Sequence, residues 1–159
     1  MRIGVLSDTH VPRRAAVLPL EVLRGLEGVD LILHAGDLVD ERVLRVLEMI
    51  APVEAVAGNM DPPGLLTLLG DKKLLALEGF NIGLIHGRGD AAAALAMAGA
   101  AFPGADCVVF GHSHRPYNRW HGSCLFFNPG SPTDNRFEPR PSYGVLYLAE
   151  RVEGEIIFF

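Results

Sequence analysis

The chain has 159 residues, 49% of them hydrophobic and 21% charged, with a formal net charge of −5 at pH 7. This is ordinary globular composition, long enough for one domain with a real core; it excludes wholesale disorder, and its acidic balance argues against a general nucleic-acid footprint. The longest uncharged run, 91–105, is interrupted by Gly99, Pro103 and Gly104 and is too short to span a bilayer. Residues 1–2 lead directly into a strand pattern with no signal-peptide succession, so a soluble cytoplasmic protein is expected.

Residues 3–6 form an apolar run that reads as a short buried strand, followed by Asp8 and His10. In an extended segment, positions i and i+2 face the same side, so a carboxylate and an imidazole are expected together at the carboxyl end of a strand. Open α/β folds place ligands there. A D-x-H triplet is also a common cap or turn, and its weight comes from four later strand ends that repeat the pattern. The next loop carries Arg13 and Arg14, which either meet a phosphate or belong to a solvated loop. A helix is expected over 19–26, with Leu20, Leu23 and Leu26 as its apolar stripe.

A second buried strand over 30–34 leads through Gly36 to Asp37, and His34 reads as a hydrogen-bond partner behind the ligands. A helix over 41–50, stopped by Pro52, precedes a third strand over 53–57 and the turn Gly58-Asn59-Met60-Asp61. Asparagine in a turn normally serves its own backbone. After two strands that end in carboxylates, a metal-bound amide oxygen is the expectation for Asn59.

One helical turn is expected at 65–69, then a hairpin of 73–77 and 81–85 around Glu78-Gly79, whose second arm runs into His86. Residues 91–101 read as an alanine-rich helix chosen for propensity and close packing. A strand over 106–110 delivers Gly111-His112-Ser113-His114, two imidazoles able to face one point. Cys107 and Cys124 stand apart in apolar runs, which predicts two reduced buried thiols and neither a disulfide nor a cysteine zinc site. From Tyr117 the pattern is all-β: strands over 117–120 and 123–127 with His121 in the exposed turn, a polar loop over 135–141, and a final hairpin of 142–149 and 153–159. The apolar stretch 156–159 reads first as core filling and second as a partner surface.

The strand ends together supply Asp8, His10, Asp37, Asn59, His86, His112 and His114: two carboxylates, one amide and four of the six histidines. Seven N/O ligands with no thiolate exceed the needs of one tetrahedral zinc and suit two adjacent first-row divalent ions, bridged by one carboxylate, Asp37.

In the order D-x-H, G-D, G-N, H-G and G-H-x-H these residues resemble the calcineurin-like metallophosphoesterase family nearly end to end, and Asn128-Pro129-Gly130-Ser131 is similar to a motif of its short bacterial and archaeal phosphodiesterases. The resemblance implies a four-layer α/β fold, an αββα sandwich of two mixed β-sheets flanked by helices, formed by residues 1–159 as one domain. Carried over position by position, one metal takes Asp8, His10, Asp37 and His114, and the other takes Asp37, Asn59, His86 and His112. Mn²⁺ is the first expectation, with Fe, Ni, Zn or Co as alternatives.

The implied reaction is phosphodiester hydrolysis by a hydroxide between two ions about 3.5–4 Å apart. Asp37 and Asn59 are expected at the chemistry, and Asn59 and Arg115 at the phosphate. Arg115 and the nearby Arg119 read equally well as ordinary surface arginines. Larger family members have G-N-H-[DE], whose histidine contacts the phosphate; Met60 stands there, so general-acid help of about 10²–10⁴-fold is absent or comes from elsewhere. The expected substrate is a small phosphodiester with a good leaving group. The rival reading is a non-catalytic metal-binding or protein-binding scaffold of the same fold, as in the retromer subunit. A phosphomonoesterase is a weaker third. The sequence is silent on substrate identity and leaves a homo-oligomer open.

Overall fold

A computed structural model describes residues 1–136 and 138–159. Phe137, inside the loop expected over 135–141, lies outside the described residues. In chain order the elements are β1 (Arg2–Leu6), α1 (Leu20–Gly25), β2 (Leu31–His34), α2 (Arg42–Glu48), β3 (Val53–Ala55), α3 (Pro63–Leu69), β4 (Lys72–Leu77) and β5 (Phe80–Ile85). They continue as α4 (Ala91–Ala101), β6 (Cys107–Val109), β7 (Tyr117–His121), β8 (Cys124–Asn128), β9 (Ser142–Leu148) and β10 (Val152–Phe158).

The strands form two five-stranded mixed sheets, ordered β10-β9-β1-β2-β3 and β4-β5-β6-β8-β7. In the first, β1, β2 and β3 run parallel and the β9–β10 hairpin returns antiparallel onto β1. In the second, β5, β6 and β8 are parallel, and β4 and β7 are antiparallel edges.

Alternation along the strands builds the layers. Ile3, Val5, Leu31 and Leu33 from one sheet meet Ile82, Leu84, Val109, Leu125 and Phe127 from the other in a core between the sheets. The opposite faces point outward. Leu6, Ile32 and Val145 pack under Val22 and Leu26 near α1 and Val43 and Leu47 of α2, while Val108 and Phe126 pack under Ala94 and Ala98 of α4. The order is therefore helices, sheet, sheet, helix, the αββα sandwich expected. Each fully buried Leu, Ile or Phe contributes roughly 1.5–3 kcal/mol.

Local differences have physical causes. Of the stripe expected for α1, Leu26 is fully buried and Leu23 partly so, but Leu20 is 54% exposed, because the inward face runs Leu18, Val22, Leu26 at four-residue spacing. The turn expected at 65–69 is a seven-residue helix that starts at Pro63, a residue pre-set for a first helical turn. His121 closes β7 instead of occupying the turn, and its Nε2 bonds Tyr117 Oη at 2.7 Å. Cys124 is only half-buried; both cysteines are free thiols. Ile156 packs into the core between the sheets and Ile157 and Phe159 into the helix-covered one, so the chain end fills core. Among the described residues no helix is long and apolar enough to cross a membrane.

Candidate metal centre

Parallel strands β1 and β2 release their chains side by side, with Leu6 opposite His34, so the loops after them leave together. Asp8 N donates to Gly36 O at 2.9 Å and His10 N to Asp37 O at 3.0 Å, tying those loops to each other. In the other sheet β5 and β6 end beside them, and Gly111 N donates to His86 O at 3.0 Å. All seven residues marked by the sequence meet at this shared edge.

Their convergence does not come from strand alternation. β1 stops at Leu6, and Asp8 and His10 lie beyond it in left-handed backbone, with φ of 54° and 45°. Asp37, His112 and His114 do the same at 59°, 70° and 57°. A non-glycine residue there is strained by ~1–2 kcal/mol, and such strain clusters where the surrounding structure over-determines it.

Two sets of donors result. Asp8 Oδ1 lies 3.3 Å from His114 Nε2 and 3.9 Å from His10 Nε2, and His10 Nε2 is 3.3 Å from His114 Nε2. Asn59 Oδ1 lies 3.1 Å from His86 Nε2 and 2.9 Å from His112 Nδ1. Asp37 Oδ2 stands between the sets, 3.6 Å from His10 Nε2 and 3.4 Å from His86 Nε2. Atoms bound ~2.1 Å from one ion lie roughly 3.0–3.4 Å apart, so these spacings are those of a ligand shell.

The chemistry of the donors fits a cation too. His86 Nδ1 donates to Ala35 O at 2.7 Å, His112 Nε2 to Gly89 O at 2.9 Å, and His114 Nδ1 to Asp134 O. Where these rings are neutral, each opposite nitrogen turns a lone pair inward, toward Asn59, Asp37 and Asp8; a protonated His86 donates to Asp37 there instead. Asp8 Oδ1, fully buried, has no hydrogen-bond partner among the described residues. Acceptors that face acceptors in a dry wall require a proton or a metal ion.

The electrostatics agree. Burial pushes the Asp8 carboxyl up, but His114 3.3 Å away and His86, when protonated, outweigh it together with the Ser7 hydrogen bond and hold it below the ordinary carboxylate value. Burial pulls His86 down; the Asp37 hydrogen bond and the Asp8 charge reverse this and carry it to about 9. Burial lowers His112 and His10, which favours the neutral, ligating form.

Other residues hold these seven in place; the N-P-G-S segment has a motif of its own in the sequence, whereas Ser7 and Asp61 have none. Asp61 accepts from Gly58 N and Asp37 N at 2.7 and 2.9 Å and from Val39 N at 2.6 Å, clamping the loops of Asp37 and Asn59 together. Met60 N holds Asp37 Oδ1 at 2.7 Å, which aims Oδ2 at the imidazoles. Ser7 Oγ and His112 N donate to Asp8 Oδ2 at 2.6 and 3.0 Å. Asn128 Nδ2 reaches Gly111 O at 3.0 Å, and Ser131 Oγ reaches Asp8 O at 2.8 Å, so the N-P-G-S segment braces two ligand loops from behind. Gly36 and Gly58 are required by contact: a Cβ on Gly36 meets His86 Nδ1 at 2.7 Å, and one on Gly58 meets Asp37 Oδ1 at 2.1 Å.

His34 is fully buried and touches no ligand side chain. Its Nδ1 accepts from Gly36 N at 3.2 Å, which leaves Nε2 to donate to Thr9 Oγ1 at 3.0 Å. It braces the backbone between ligands. Arg115 turns toward Glu138, at 3.9 Å, Arg119 lies over the Tyr117 ring, and Arg14 pairs with Asp134 at 3.2 Å. A cavity of about 630 Å³ between α1 and α2 contains none of the seven side chains. A smaller one of about 230 Å³ has Asn59 and His86 in its wall.

Residues 1–151 match the model of the calcineurin-like phosphoesterase superfamily domain. A probable metallophosphoesterase of Methanothermobacter thermautotrophicus is 44% identical over 163 residues, covering 99% of this chain and 92% of the relative. Among solved structures, wild-type Vps29 of Entamoeba histolytica in complex with zinc superposes with a TM-score of 0.77 at 27% identity, over 99% of both chains. An archaeal phosphodiesterase gives 0.75 at 25% identity over 100% of both. The chain belongs to the calcineurin-like phosphoesterase superfamily.

Proposed function

We propose that residues 1–159 form one phosphoesterase domain that hydrolyses phosphodiesters with two divalent cations, Mn²⁺ first among them. Asp8, His10, Asp37 and His114 hold one, and Asp37, Asn59, His86 and His112 hold the other. The observation that carries this is Asp37 Oδ2, set 3.6 Å from His10 Nε2 and 3.4 Å from His86 Nε2, facing both groups of donors; Asp8 Oδ1, 4.0 Å from His86 Nε2, also reaches toward the second. Two ions held there supply Lewis acidity and make hydroxide available near neutral pH.

The chain's own residues orient and exclude. Carbonyls of Ala35, Gly89 and Asp134 fix the tautomers of His86, His112 and His114. Asn59, exposed beside buried His86, is placed to contact a phosphoryl oxygen. Met60 cannot donate a proton to a leaving alkoxide, which restricts fast turnover to diesters with good leaving groups.

The test is hydrolysis of bis(p-nitrophenyl) phosphate by metal-stripped protein before and after addition of Mn²⁺. Restored turnover that Asp37→Ala and His86→Ala both lack supports the reading. A second reading, a scaffold that binds metal without turnover, is favoured by the likeness to Vps29 over nearly the whole chain. Mn²⁺ binding with no ester cleaved decides for it.

A further inference from the structure

Arg88 lies on a loop that is held on both sides. His86 Nδ1 bonds Ala35 O at 2.7 Å, Gly89 O accepts from His112 Nε2 at 2.9 Å, and Asp90 Oδ1 caps α4 by accepting from Ala93 N at 2.8 Å. The loop cannot drift from the metal centre, yet the guanidinium is exposed, and among the described residues it pairs with no carboxylate. It lines the cavity of about 230 Å³ whose wall includes Asn59 and His86. Leu66 and Met97 form apolar parts of that wall, and two carboxylates line it: Asp61, which is taken up by the N–H groups of Gly58, Asp37 and Val39, and Asp71. The register explains the placement: Lys72 pairs with Ile85, so Asp71 and His86 are the next step along β4 and β5.

Resting on the phosphodiesterase reading, we propose that this cavity is the subsite for one ester arm of the substrate, with Arg88 on a phosphoryl oxygen and a small, uncharged, hydroxyl-bearing alcohol in the space beyond. The guanidinium presents planar paired donors matched to phosphate. The volume is below the ~300–1,000 Å³ of pockets for drug-sized ligands and near that of about eight liquid waters at ~30 Å³ each. It has room for a glycerol-sized arm. Asp71 accepts hydroxyl donors and repels an arm that carries its own phosphate.

The experiment is calorimetric binding of orthophosphate and of glycerol 3-phosphate to Mn²⁺-loaded protein. The variants are Arg88→Gln and Leu66→Trp, the latter on a side chain 50% exposed, where substitution fills the cavity without touching core. Arg88→Gln is expected to weaken both ligands about tenfold or more, the loss of one charge-assisted hydrogen bond. Leu66→Trp is expected to weaken glycerol 3-phosphate at least about tenfold more than orthophosphate. Mn²⁺ affinity stays at the parent value in both. Unchanged orthophosphate binding in Arg88→Gln, equal effects of Leu66→Trp on the two ligands, or no phosphate binding by the loaded parent overturns the proposal. Parent turnover of bis(p-nitrophenyl) phosphate is read separately. If turnover is absent while the binding pattern holds, the phosphodiesterase reading fails and the subsite stands. If turnover is present without the pattern, the reverse is true.

Discussion

Asp61→Asn tests whether one carboxylate holds the two ligand loops together. Three backbone N–H groups converge on it: Gly58 and Asp37 at one oxygen, at 2.7 and 2.9 Å, and Val39 at the other, at 2.6 Å. An asparagine of the same shape keeps one oxygen for Gly58 and Asp37 and turns its amide N–H toward Val39, so one bond is replaced by two donors in opposition. A hydrogen bond to a charged group contributes ~1.5–3 kcal/mol, and the two that remain fall to the ~1 kcal/mol of neutral pairs. Removing the charge also gives some energy back. Burial is the largest influence on Asp61 and raises its pKa despite the three N–H groups, so part of the lost bonding is offset by relieved desolvation. The balance is a loss of about 2–3 kcal/mol in the unfolding free energy of metal-free protein, seen as a lower urea midpoint at unchanged m value. Because the same loops carry Asp37 and Asn59, Mn²⁺ affinity falls about 10- to 100-fold. A variant within about 0.5 kcal/mol of the parent that binds Mn²⁺ as the parent does refutes the reasoning.

Gly58→Ala puts a Cβ 2.1 Å from Asp37 Oδ1 and 2.5 Å from Asp37 N, so Mn²⁺ binding is lost while far-UV circular dichroism persists; Gly64→Ala, with nothing within 4 Å of its Cβ, binds as the parent does. His86, raised to about 9 in the metal-free protein, gives stability that is complete below the unfolded value of 6.5 and lost as pH rises through 9. Metal displaces that proton, so Mn²⁺ affinity rises by up to about tenfold per pH unit toward pH 9; calorimetry in buffers of different ionisation enthalpy is expected to record proton release at pH 7.5, and none refutes the assignment. His34 behaves oppositely: burial drives it from 6.5 to about 3, so the unfolded chain protonates first and stability is lost as pH falls from 6.5 toward 3, by about 3 kcal/mol at pH 4.5. His34→Gln flattens that slope in urea titrations between pH 7 and 4.5; a slope equal to the parent's refutes it.

The ligand residues were legible because strand ends in an α/β sheet are where side chains of this chemistry have no packing reason to be. Asp8, Asp37, His86 and His112 each follow an apolar run, and all four reach the same edge. How they point was not legible. Strand alternation requires residues 8–10 to be extended, whereas Asp8 and His10 take left-handed backbone beyond Leu6, held by bonds from Asp8 N to Gly36 O and from His10 N to Asp37 O that only the neighbouring loop supplies. Asp61 escaped notice for a similar reason: an aspartate three residues after a turn glycine reads as turn chemistry, and its partners Asp37 and Val39 are over twenty positions away in sequence. The join of β9 to β1 is likewise long-range, since a C-terminal hairpin carries no local signal of which sheet edge it covers.

The pattern of strain favours the metal-loaded reading of the site over a purely structural one. Five of the seven candidate ligands sit at positive φ, Asp8 Oδ1 is buried with no donor among the described residues, and the Nε2 atoms of His10 and His114 lie 3.3 Å apart. Two of these features cost the fold: left-handed backbone costs ~1–2 kcal/mol per residue, and a buried carboxylate oxygen without a donor is desolvated without a compensating bond. The surroundings over-determine the arrangement instead of relaxing it. Asp61 and Met60 N fix Asp37, Ser131 and His112 N fix the Asp8 loop, and glycines stand where any Cβ would push His86 or Asp37 away. Nitrogen and oxygen atoms gathered in a buried pocket suit divalent-metal binding, and the loops that carry them are fixed in advance by their neighbours.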